Sequence, residues 1–387
     1  MGIRFTTAGE SHGPGLVAIV EGMPAGLELD RDALDRDMAR RQLGHGRGGR
    51  MKIENDAVEI RSGVRHGRTL GSPIAVLVAN RDYPNWEERM NPWPVDGAVD
   101  EVHTPRPGHA DLAGLLKHGH TDVRNVLERA SARETAARVA AGGLAKSFLA
   151  ALEVTVHSHV LQIGSVRAAE PESLAPEDFA GVDDSPVRCL DPDAAARMVE
   201  EIDRLRKDNE TLGGTFEVVA FGLVPGLGSH VAWDERLDAR LAQATVSIQA
   251  IKGVSLGEAW EVAGRPGSEA HDEIFWDEAR GWFRETNRAG GLEGGMTNGE
   301  PLVVRAAMKP LSTLTQPLRT VDTETREPAE ALRERTDSTT VPAAAVVGEA
   351  MVALVLAGAY RDKLGGDHID DVLAALTAYK ERIGWRR

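Results

Sequence analysis

The chain has 387 residues, of which 42% are hydrophobic, and its formal net charge is −15. A chain of this length and apolar content can bury a large core, and its acidic balance argues against a protein that wraps nucleic acid or lies on an anionic membrane. The single cysteine, Cys189, excludes an internal disulfide and a multi-cysteine zinc site. The first residues run directly into strand-like sequence without the features of a signal peptide, so a cytoplasmic location is expected.

Strands and helices are predicted over the whole length of the chain. The apolar patterns predict strands at 3–7, 16–20, 58–62, 73–78, 154–163, 215–221 and 302–307. They predict helices at 31–41, 133–152, 193–205, 236–248 and 342–360. Because both types are interspersed, the predicted fold class is mixed α and β. The apolar run at 343–359 contains Glu349 and is short for a membrane span, so we interpret it as a buried core helix.

Three short patterns recur in the same order later in the chain. Residues 22–27 (GMPAGL) resemble 224–227 (VPGL), residues 34–39 resemble 237–242, and residues 67–73 (GRTLGSP) resemble 295–301 (GMTNGEP). Chance is the alternative explanation, since Gly and Pro occur in many turns. We interpret the matches as an internal duplication within a single domain, residues 1–387, whose similar halves lie at approximately 1–152 and 214–361.

Two motifs match catalytic or cofactor-binding signatures in the wrong structural context. Residues 9–13 (GESHG) fit the nucleophile elbow of serine hydrolases, which places its serine between a strand and a helix. Here a strand-like run follows, so a serine hydrolase using Ser11 is kept only as the alternative function. Residues 44–49 (GHGRGG) fit the dinucleotide-binding pattern, which must follow a strand and open a helix. This stretch follows a predicted helix, and we reject it.

The first two of four segments rich in Arg, His, Ser and Gly lie near the start of the chain. Residues 7–14 end a strand in a tight turn that presents His12, and a histidine among small polar neighbours suits acid/base chemistry. Residues 40–52 form a strongly basic stretch whose guanidinium groups suit carboxylates and phosphates. The alternatives for this stretch are a flexible surface loop and an RNA-binding Arg-Gly segment.

The third segment runs from residue 106 to residue 135. It places His109 in a turn beside Gly and Pro, and Arg129, Ser131 and Arg133 at the start of an Ala-rich helix. A helix N-terminus with added Arg and Ser is suited to anions, although Ser131 could simply cap the helix.

The fourth segment joins residues 309–313 (KPLST) to Arg335 and Asp337, just before the last long apolar helix. The Arg and Asp could form a plain salt bridge and cap, or an anion clamp with a proton-handling carboxylate. Together the four segments predict a site with several Arg, two His and one Asp for a small phosphorylated polyanion. They contain no evident metal cluster.

In combination these segments resemble the chorismate synthase family. The matching stretches follow the family's order from the first strand to the last long helix: 9–13 (GESHG), 106–111 (RPGHAD), 131–135 (SARET), 247–253 (SIQAIKG), 290–295 (GGLEGG), and Arg335 with Asp337. The resemblance implies an α+β fold in which a helical layer is sandwiched between two antiparallel β-sheets, with pseudo-twofold internal duplication. It also implies a homotetramer.

The implied reaction is the last step of the shikimate pathway to aromatic amino acids. It removes phosphate from C3 and hydrogen from C6 of 5-enolpyruvylshikimate 3-phosphate to give chorismate. It requires reduced FMN, which transiently donates an electron and recovers it, so there is no net redox change. NADP(H) or an external flavin reductase would keep the flavin reduced, and neither nucleic acid nor a membrane is expected as a partner.

The resemblance also implies roles for individual residues. His12 would protonate the departing phosphate, His109 would protonate or stabilise the reduced flavin, and Asp337 would act at flavin N5. Positions matching flavin contacts are Arg129, Ala130, Ser131, Gln249, Ala250, Gly294, Lys309, Pro310, Leu311, Ser312, Thr313 and Arg335. Positions matching NADP or substrate contacts are Ser11, Arg41, Arg47, Arg50 and Arg133. The stretch 82–94 is longer than in some members, and its role is left open between a lid and an oligomer contact.

Overall fold

The computed structural model describes residues 2–48, 56–97, 99–171, 173–334 and 337–386. The first part of the chain forms β1 (Arg4–Ala8), β2 (Gly15–Glu21), α1 (Arg31–Gln42), β3 (Glu59–Ile60), β4 (Val64–Arg65), β5 (Arg68–Thr69), β6 (Ile74–Ala79), α2 (Asp111–His118), α3 (Arg124–Ala130) and α4 (Thr135–Ala151). The remainder forms β7 (Thr155–Ile163), β8 (Val166–Arg167), α5 (Pro192–Lys207), β9 (Gly214–Phe221), α6 (Leu237–Val246), β10 (Ile251–Leu256), α7 (Ala259–Val262), α8 (Gly267–Ala270), β11 (Phe275–Asp277), β12 (Gly281–Phe283), β13 (Leu292–Glu293), β14 (Met296–Thr297), β15 (Leu302–Met308), β16 (Arg319–Val321), β17 (Pro328–Glu330), α9 (Val341–Leu364) and α10 (Ile369–Ile383).

Two antiparallel sheets contain most of the longer strands. One sheet has the order β1-β2-β6-β3 and the other has the order β10-β15-β9-β7-β8. Apolar residues face each other across neighbouring strands, as Leu16 does with Val78 in the first sheet and Val304 with Val218 in the second. The predicted mixed α+β class is confirmed.

The long helices α4 and α9 form the centre of the core. They pack on each other, α4 also packs on β2 and β6, and α9 also packs on β7 and β9. Gly142 of α4 lies so close to α9 that an added Cβ would meet the Ala350 Cα at 2.5 Å. The helix Val341–Leu364 is long and apolar enough to span a membrane, but 94% of its most apolar stretch is buried inside the protein. The prediction of a buried core helix is confirmed.

The two sheets follow the same order of elements along the chain. In the first, β1 and β2 precede α1, the short β4–β5 hairpin and β6; in the second, β7 and β9 precede α6, the β13–β14 hairpin and β15. The hairpins make the same local bond, because Thr69 Oγ1 accepts from the Leu27 N–H at 3.0 Å and Thr297 Oγ1 accepts from the Leu227 N–H at 2.9 Å. The repeated sequence patterns therefore occupy corresponding places in these two series of elements.

Sequence patterns missed several short or locally packed elements. No prediction covered α2, α3, β10 or α10, and the strand predicted at 58–62 is limited to Glu59–Ile60. The helix predicted from residue 133 begins at Thr135, after a 3₁₀ turn at Ala132–Glu134. The helices α2 and α3 bury a small separate cluster of Leu115, Val123 and Leu127, so their apolar faces are too short for a clear periodic pattern.

Both central helices begin at the same end of the molecule. Thr135, the first residue of α4, has its Oγ1 3.4 Å from Arg41 Nη1, and Gly44 lies against Pro342 in the first turn of α9. The connections that precede α4 and α9 meet there, since the Thr323 N–H donates to the His103 carbonyl at 2.9 Å. This end therefore combines two helix N-termini with two long connecting segments.

Candidate active site

His12 lies in the turn between β1 and β2, and Asn80 at the end of β6 holds that turn in place. Asn80 Nδ2 donates to the carbonyls of Gly13 at 2.7 Å and Glu10 at 3.1 Å. Asn80 Oδ1 accepts from Arg133 Nε at 2.9 Å. The histidine turn is thereby tied to an arginine at the start of the central helix layer.

A buried glutamate orients His12. Glu128 is 3% exposed, and its two carboxylate oxygens lie 3.0 and 2.9 Å from His12 Nδ1. Burial alone would raise the pKa of Glu128, but the hydrogen bonds from His12 and the charge of Arg124 hold it below its ordinary value. An ionised Glu128 accepts the Nδ1–H and supports a positive imidazole ring, so proton transfer to a ligand would use Nε2.

His109 has a similar arrangement in the turn before α2. Its Nδ1 lies 2.5 Å from Asp111 Oδ1, and Asp111 is 0% exposed. Burial would raise the pKa of Asp111, but the bonds from His109 and Arg106 hold it far below its ordinary value. Arg106 Nη2 also lies 3.1 Å from His109 Nδ1. Because an ionised carboxylate is the stronger acceptor, Nδ1 carries a proton toward Asp111 and the Arg106 approach is not a hydrogen bond.

Arg41 and Arg133 share one buried carboxylate. Arg133 Nη1 lies 2.6 and 2.8 Å from the two oxygens of Asp56, and Arg41 Nη2 lies 2.5 Å from Asp56 Oδ2. All three residues are buried. Burial lowers the pKa of Arg41 to about 10 despite the Asp56 charge, which leaves the guanidinium charged at neutral pH. Within the described part of the chain these two guanidinium groups share one carboxylate, and guanidinium groups suit an anionic ligand.

Arg47 pairs with Asp337 next to this cluster. Arg47 Nη1 lies 3.0 Å from Asp337 Oδ2, and Asp337 Oδ1 accepts the Gly48 N–H at 2.5 Å. Asp337 therefore forms a salt bridge with Arg47 of the basic segment, whereas Arg335, its partner in the predicted salt bridge, lies outside the described residues. We call the region formed by Arg41, Arg47, Arg133 and the starts of α4 and α9 the basic end.

The residues matched to flavin contacts form a chain of polar contacts beside the basic end. Arg129 Nη2 donates to the Thr7 carbonyl at 2.9 Å, and Thr7 Oγ1 donates to Glu134 at 2.6 Å. Gln249 Nε2 donates to the same glutamate at 3.1 Å, while the buried Gln249 Oε1 has no partner among the described residues. Ala250 adopts a positive φ of 67°, a strained conformation that is often found at functional sites.

Residues 309–313 extend this chain to the His109 turn. The Lys309 N–H donates to the Ala250 carbonyl at 3.0 Å. Burial and the nearby charge of Lys252 lower the pKa of Lys309. A side chain added at Gly108 would lie 3.7 Å from Ser312 Cβ and 3.9 Å from Lys309 Nζ. Two neighbouring lysines beside the histidine turn suit a phosphate group.

The remaining predicted site residues lie in local caps, in a distant hairpin or outside the described residues. Ser131 caps the 3₁₀ turn by accepting the Arg133 N–H at 3.3 Å, as its plainer interpretation predicted, and Ala130 ends α3. Arg50 and Arg335 lie outside the described residues. Gly294 lies in the β13–β14 hairpin, which neighbours the C-terminal end of α9 through Gly226. The hairpin therefore neighbours the C-terminal end of α9, whereas the basic end lies at the N-terminal end of this helix.

The sequence did not assign roles to Asn80, Asp56, Glu128, Asp111 or Trp86. Two of them had a local signal, because Asp111 ends the stretch 106–111 and Glu128 directly precedes Arg129. A cavity of about 540 Å³ lies elsewhere, near the C-terminal end of α4, and none of the predicted site residues lines it. We therefore locate the site by its chemistry rather than by cavity size.

The geometry does not support a serine hydrolase. Ser11 is 2% exposed, and its turn leads into β2 rather than into a helix. A nucleophile elbow requires an exposed serine on a strand-to-helix turn.

Comparisons with known proteins agree with one family throughout. A family model described as chorismate synthase matches residues 3–360. The chorismate synthase of Symbiobacterium thermophilum is 57% identical over 391 residues, covering 99% of this chain and 100% of the relative. That of Rubrobacter xylanophilus is 58% identical over 386 residues, covering 99% and 98%.

A solved structure described as the crystal structure of chorismate synthase superposes with a TM-score of 0.80 at 41% identity, covering 99% of this chain and 98% of that one. Similarity at this level spans the whole length of each protein, and the two histidine–carboxylate pairs and the basic end lie within the matched residues. The chain belongs to the chorismate synthase family.

Proposed function

We propose that the basic end, with the His12 and His109 turns beside it, is where this chain converts 5-enolpyruvylshikimate 3-phosphate into chorismate. The family's reaction is a carbon–oxygen lyase reaction that eliminates phosphate, and its substrate carries two carboxylates and a phosphate. The observation that carries the proposal is the joint placement of two carboxylate-bound histidines and a cluster of buried arginines. These are the groups that an elimination of phosphate from a polyanion requires.

The arginines of the basic end would bind the substrate's anionic groups. Arg41 and Arg133 both pair with Asp56, Arg41 stays charged at neutral pH, and Arg47 lies next to them. The N-terminal ends of α4 and α9 add partial positive charge in the same region. Ser11 and Arg50 complete the proposed substrate-binding set.

His12 would act as the general acid. The C3–O bond breaks, its electron pair remains on the phosphate oxygen, and His12 delivers a proton to that oxygen. Glu128 stays ionised throughout, because its pKa is held below the ordinary range. It stabilises the positive ring before transfer and fixes the tautomer in which Nδ1 keeps its proton.

The residues beside the basic end fit reduced FMN. The unpartnered Gln249 Oε1 offers an acceptor to a hydroxyl or N–H donor, and Lys309 with Lys252 offers positive charge to a phosphate. Arg129, Ala130, Ser131, Ala250, Pro310, Leu311, Ser312, Thr313 and Arg335 are the further proposed contacts. When bound, the reduced flavin supplies the electron density that helps the C3 phosphate to leave. His109, oriented by Asp111, would hold a proton next to the cofactor, and Asp337 would act at its edge.

Gly294 is proposed as a flavin contact by resemblance alone. The polar contacts of Arg129, Gln249, Ala250 and Lys309 support these four flavin positions, whereas the hairpin that carries Gly294 neighbours the opposite end of α9.

We also propose that the layered fold arose by duplication. The matching element order and the matching Thr69 and Thr297 bonds support two similar halves, with β7 grouped with the second half. A homotetrameric assembly, a cytoplasmic location and a source of reduced flavin, either NADP(H) bound near Arg41 and Arg47 or an external reductase, remain proposals based on the resemblance.

The test is an anaerobic assay of chorismate formation with chemically reduced FMN, repeated with FMN plus NADPH to identify the reductant. We expect His12→Ala and His109→Ala each to slow turnover by roughly 10²–10⁴, the usual range for positioned acid/base groups. Asp337→Asn should act in the same direction. Near-normal turnover in either histidine variant removes that residue from the mechanism. Labelling of Ser11 by a fluorophosphonate without flavin-dependent turnover would instead favour a hydrolase.

A further inference from the structure

We propose that Trp86 is a positioning residue for the reaction, which holds the ring of His12 in the plane needed for proton delivery. The inference rests on the proposed role of His12 as the general acid. It assigns a function to the 82–94 segment, whose role the sequence left open.

The contact between the two rings is direct. The ring centroids of His12 and Trp86 lie 3.9 Å apart, and the ring planes differ by 23°. Glu128 holds the same imidazole at its edge through Nδ1. A hydrogen bond at one edge leaves the ring able to swing about that bond, whereas a flat stack fixes its plane. The two contacts together define one orientation, and the His12 side chain is only 13% exposed.

Trp86 is itself held in place. Its Nε1 donates to Asp82 Oδ2 at 3.2 Å, and Asn85 Nδ2 donates to Asp82 Oδ1 at 2.7 Å. Asp82 is 9% exposed, so this carboxylate is an internal anchor rather than a surface group. The Trp86 N–H donates to the Tyr83 carbonyl at 2.7 Å across a 3₁₀ turn. The position of the Trp86 indole is therefore fixed by contacts within the protein and does not depend on a bound ligand.

Charged side chains lie around the stack. A positive ring over an indole face gains a cation–π attraction, and the neighbouring Glu128 is ionised. Arg124 opposes this charge, since its Nη1 lies 3.0 Å from Glu128 and its Cζ lies 5.1 Å from the indole centroid. The other charged groups facing this region are Arg89, 5.7 Å from the indole centroid, together with Asp82 and Glu10.

The experiment compares Trp86→Ala, Trp86→Phe and Trp93→Ala under anaerobic conditions with chemically reduced FMN. Trp93 lies in the same segment and is 77% exposed, which makes its substitution a matched control. We expect Trp86→Ala to lower kcat about tenfold with little change in KM, because misorientation of an acid affects the transition state more than binding. Trp86→Phe should restore most of kcat, since it keeps a flat ring.

A second readout does not depend on turnover. The Trp86 fluorescence of the flavin-free protein, taken as the difference between wild type and Trp86→Phe, should change in one protonation step. His12→Gln should abolish that step. Trp86→Ala with the kinetics of Trp93→Ala, or difference fluorescence that does not titrate with His12, would overturn the inference. If His12→Ala itself keeps near-normal turnover, the proposed general acid fails first, and the two failures are thereby distinguished.

Discussion

Glu349 and Asp56 are two buried carboxylates that each bind arginines, but they lie in different surroundings. Glu349, in the middle of α9, is 0% exposed and accepts two bonds from Arg40 at 2.8 Å, one from Lys146 at 2.5 Å and one from Ser158 at 2.6 Å. Its partners lie on α1, α4 and β7, so the cluster joins the helix layer to the second sheet. All of these groups are part of the folded core.

In the part of the chain that the structure describes, Asp56 binds fewer cationic side chains than Glu349 does, and it lies at the edge of the core. It binds Arg41 and Arg133, and Arg41 Nε has no partner among the described residues. Arg40 and Arg41 are consecutive on α1, yet one faces Glu349 and the other faces Asp56, because adjacent helical residues point about 100° apart. The comparison teaches that a single turn of helix can direct one arginine, Arg40, into the folded core and the next, Arg41, into the basic end that we propose binds the substrate.

The largest expected effect comes from breaking the inner cluster, which Glu349 forms with Arg40, Lys146, Ser158 and Arg188. Glu349→Gln leaves Arg40, Lys146 and Arg188 without their shared negative charge, and we expect a loss of about 3–5 kcal/mol in the free energy of unfolding. Urea denaturation measures it. Asp35→Asn, which removes an exposed pair with Arg31, is the control and should change stability by less than about 1 kcal/mol. If Glu349→Gln changes the free energy of unfolding by a similarly small amount, the ion pairs of the inner cluster do not contribute jointly to stability.

The second prediction concerns the outer cluster, formed by Asp56, Arg41 and Arg133, where both function and stability should suffer. Asp56→Asn removes the charge that holds two neighbouring guanidiniums together, so we expect a stability loss of about 1–3 kcal/mol. Because the guanidinium groups of Arg41 and Arg133 would lose their alignment, kcat/KM should fall about tenfold. Kinetics at saturating reduced FMN and urea denaturation of the same sample give both values. An unchanged kcat/KM with a large stability loss would place Asp56 with Glu349 as a purely structural group.

The smallest effect is a difference in pH dependence. Burial would raise the pKa of Glu349, but Lys146 and Arg40 hold it well below its ordinary value of 4.5. The unfolded chain therefore binds this proton first as pH falls, and the stabilisation is complete above about pH 4.5 and is lost as pH falls toward the folded pKa. The unfolding free energy of wild type should decline more steeply in this range than that of Glu349→Gln, by up to about 1.4 kcal/mol per pH unit. If the unfolding free energies of wild type and Glu349→Gln decline in parallel as the pH falls, the pKa of Glu349 is not lowered in the folded protein.

The sequence predicted the parts of the structure that depend on local pattern. The core helix α9 was predicted because its apolar run is continuous, and His12 was singled out because small polar residues flank it. The partners of these residues could not be predicted, because Glu128 is 116 positions from His12 and Asp56 is 77 positions from Arg133. Only the folded sheets bring such groups together.

The Asp82–Trp86 stretch shows that the contacts of residues close in sequence could not be predicted either. Its residues contact one another, and the bond from Trp86 to Asp82 lies within one turn, but its stack on His12 depends on the Asn80 bonds to the His12 turn. Similarly, Glu349 interrupts an apolar run in the sequence, and its cationic partners come from segments 203 and 309 positions away.

The close packing of α4 on α9 has a consequence for synthesis on the ribosome. The apolar face of α4 around Gly142 is complete early in translation, but its partner surface at Ala350 emerges only near the end of the chain. Until then the first sheet and its helix expose a surface that other nascent chains could bind, and a chaperone would be needed longest during this interval. Catalytic competence would therefore appear abruptly, once the C-terminal helices leave the exit tunnel.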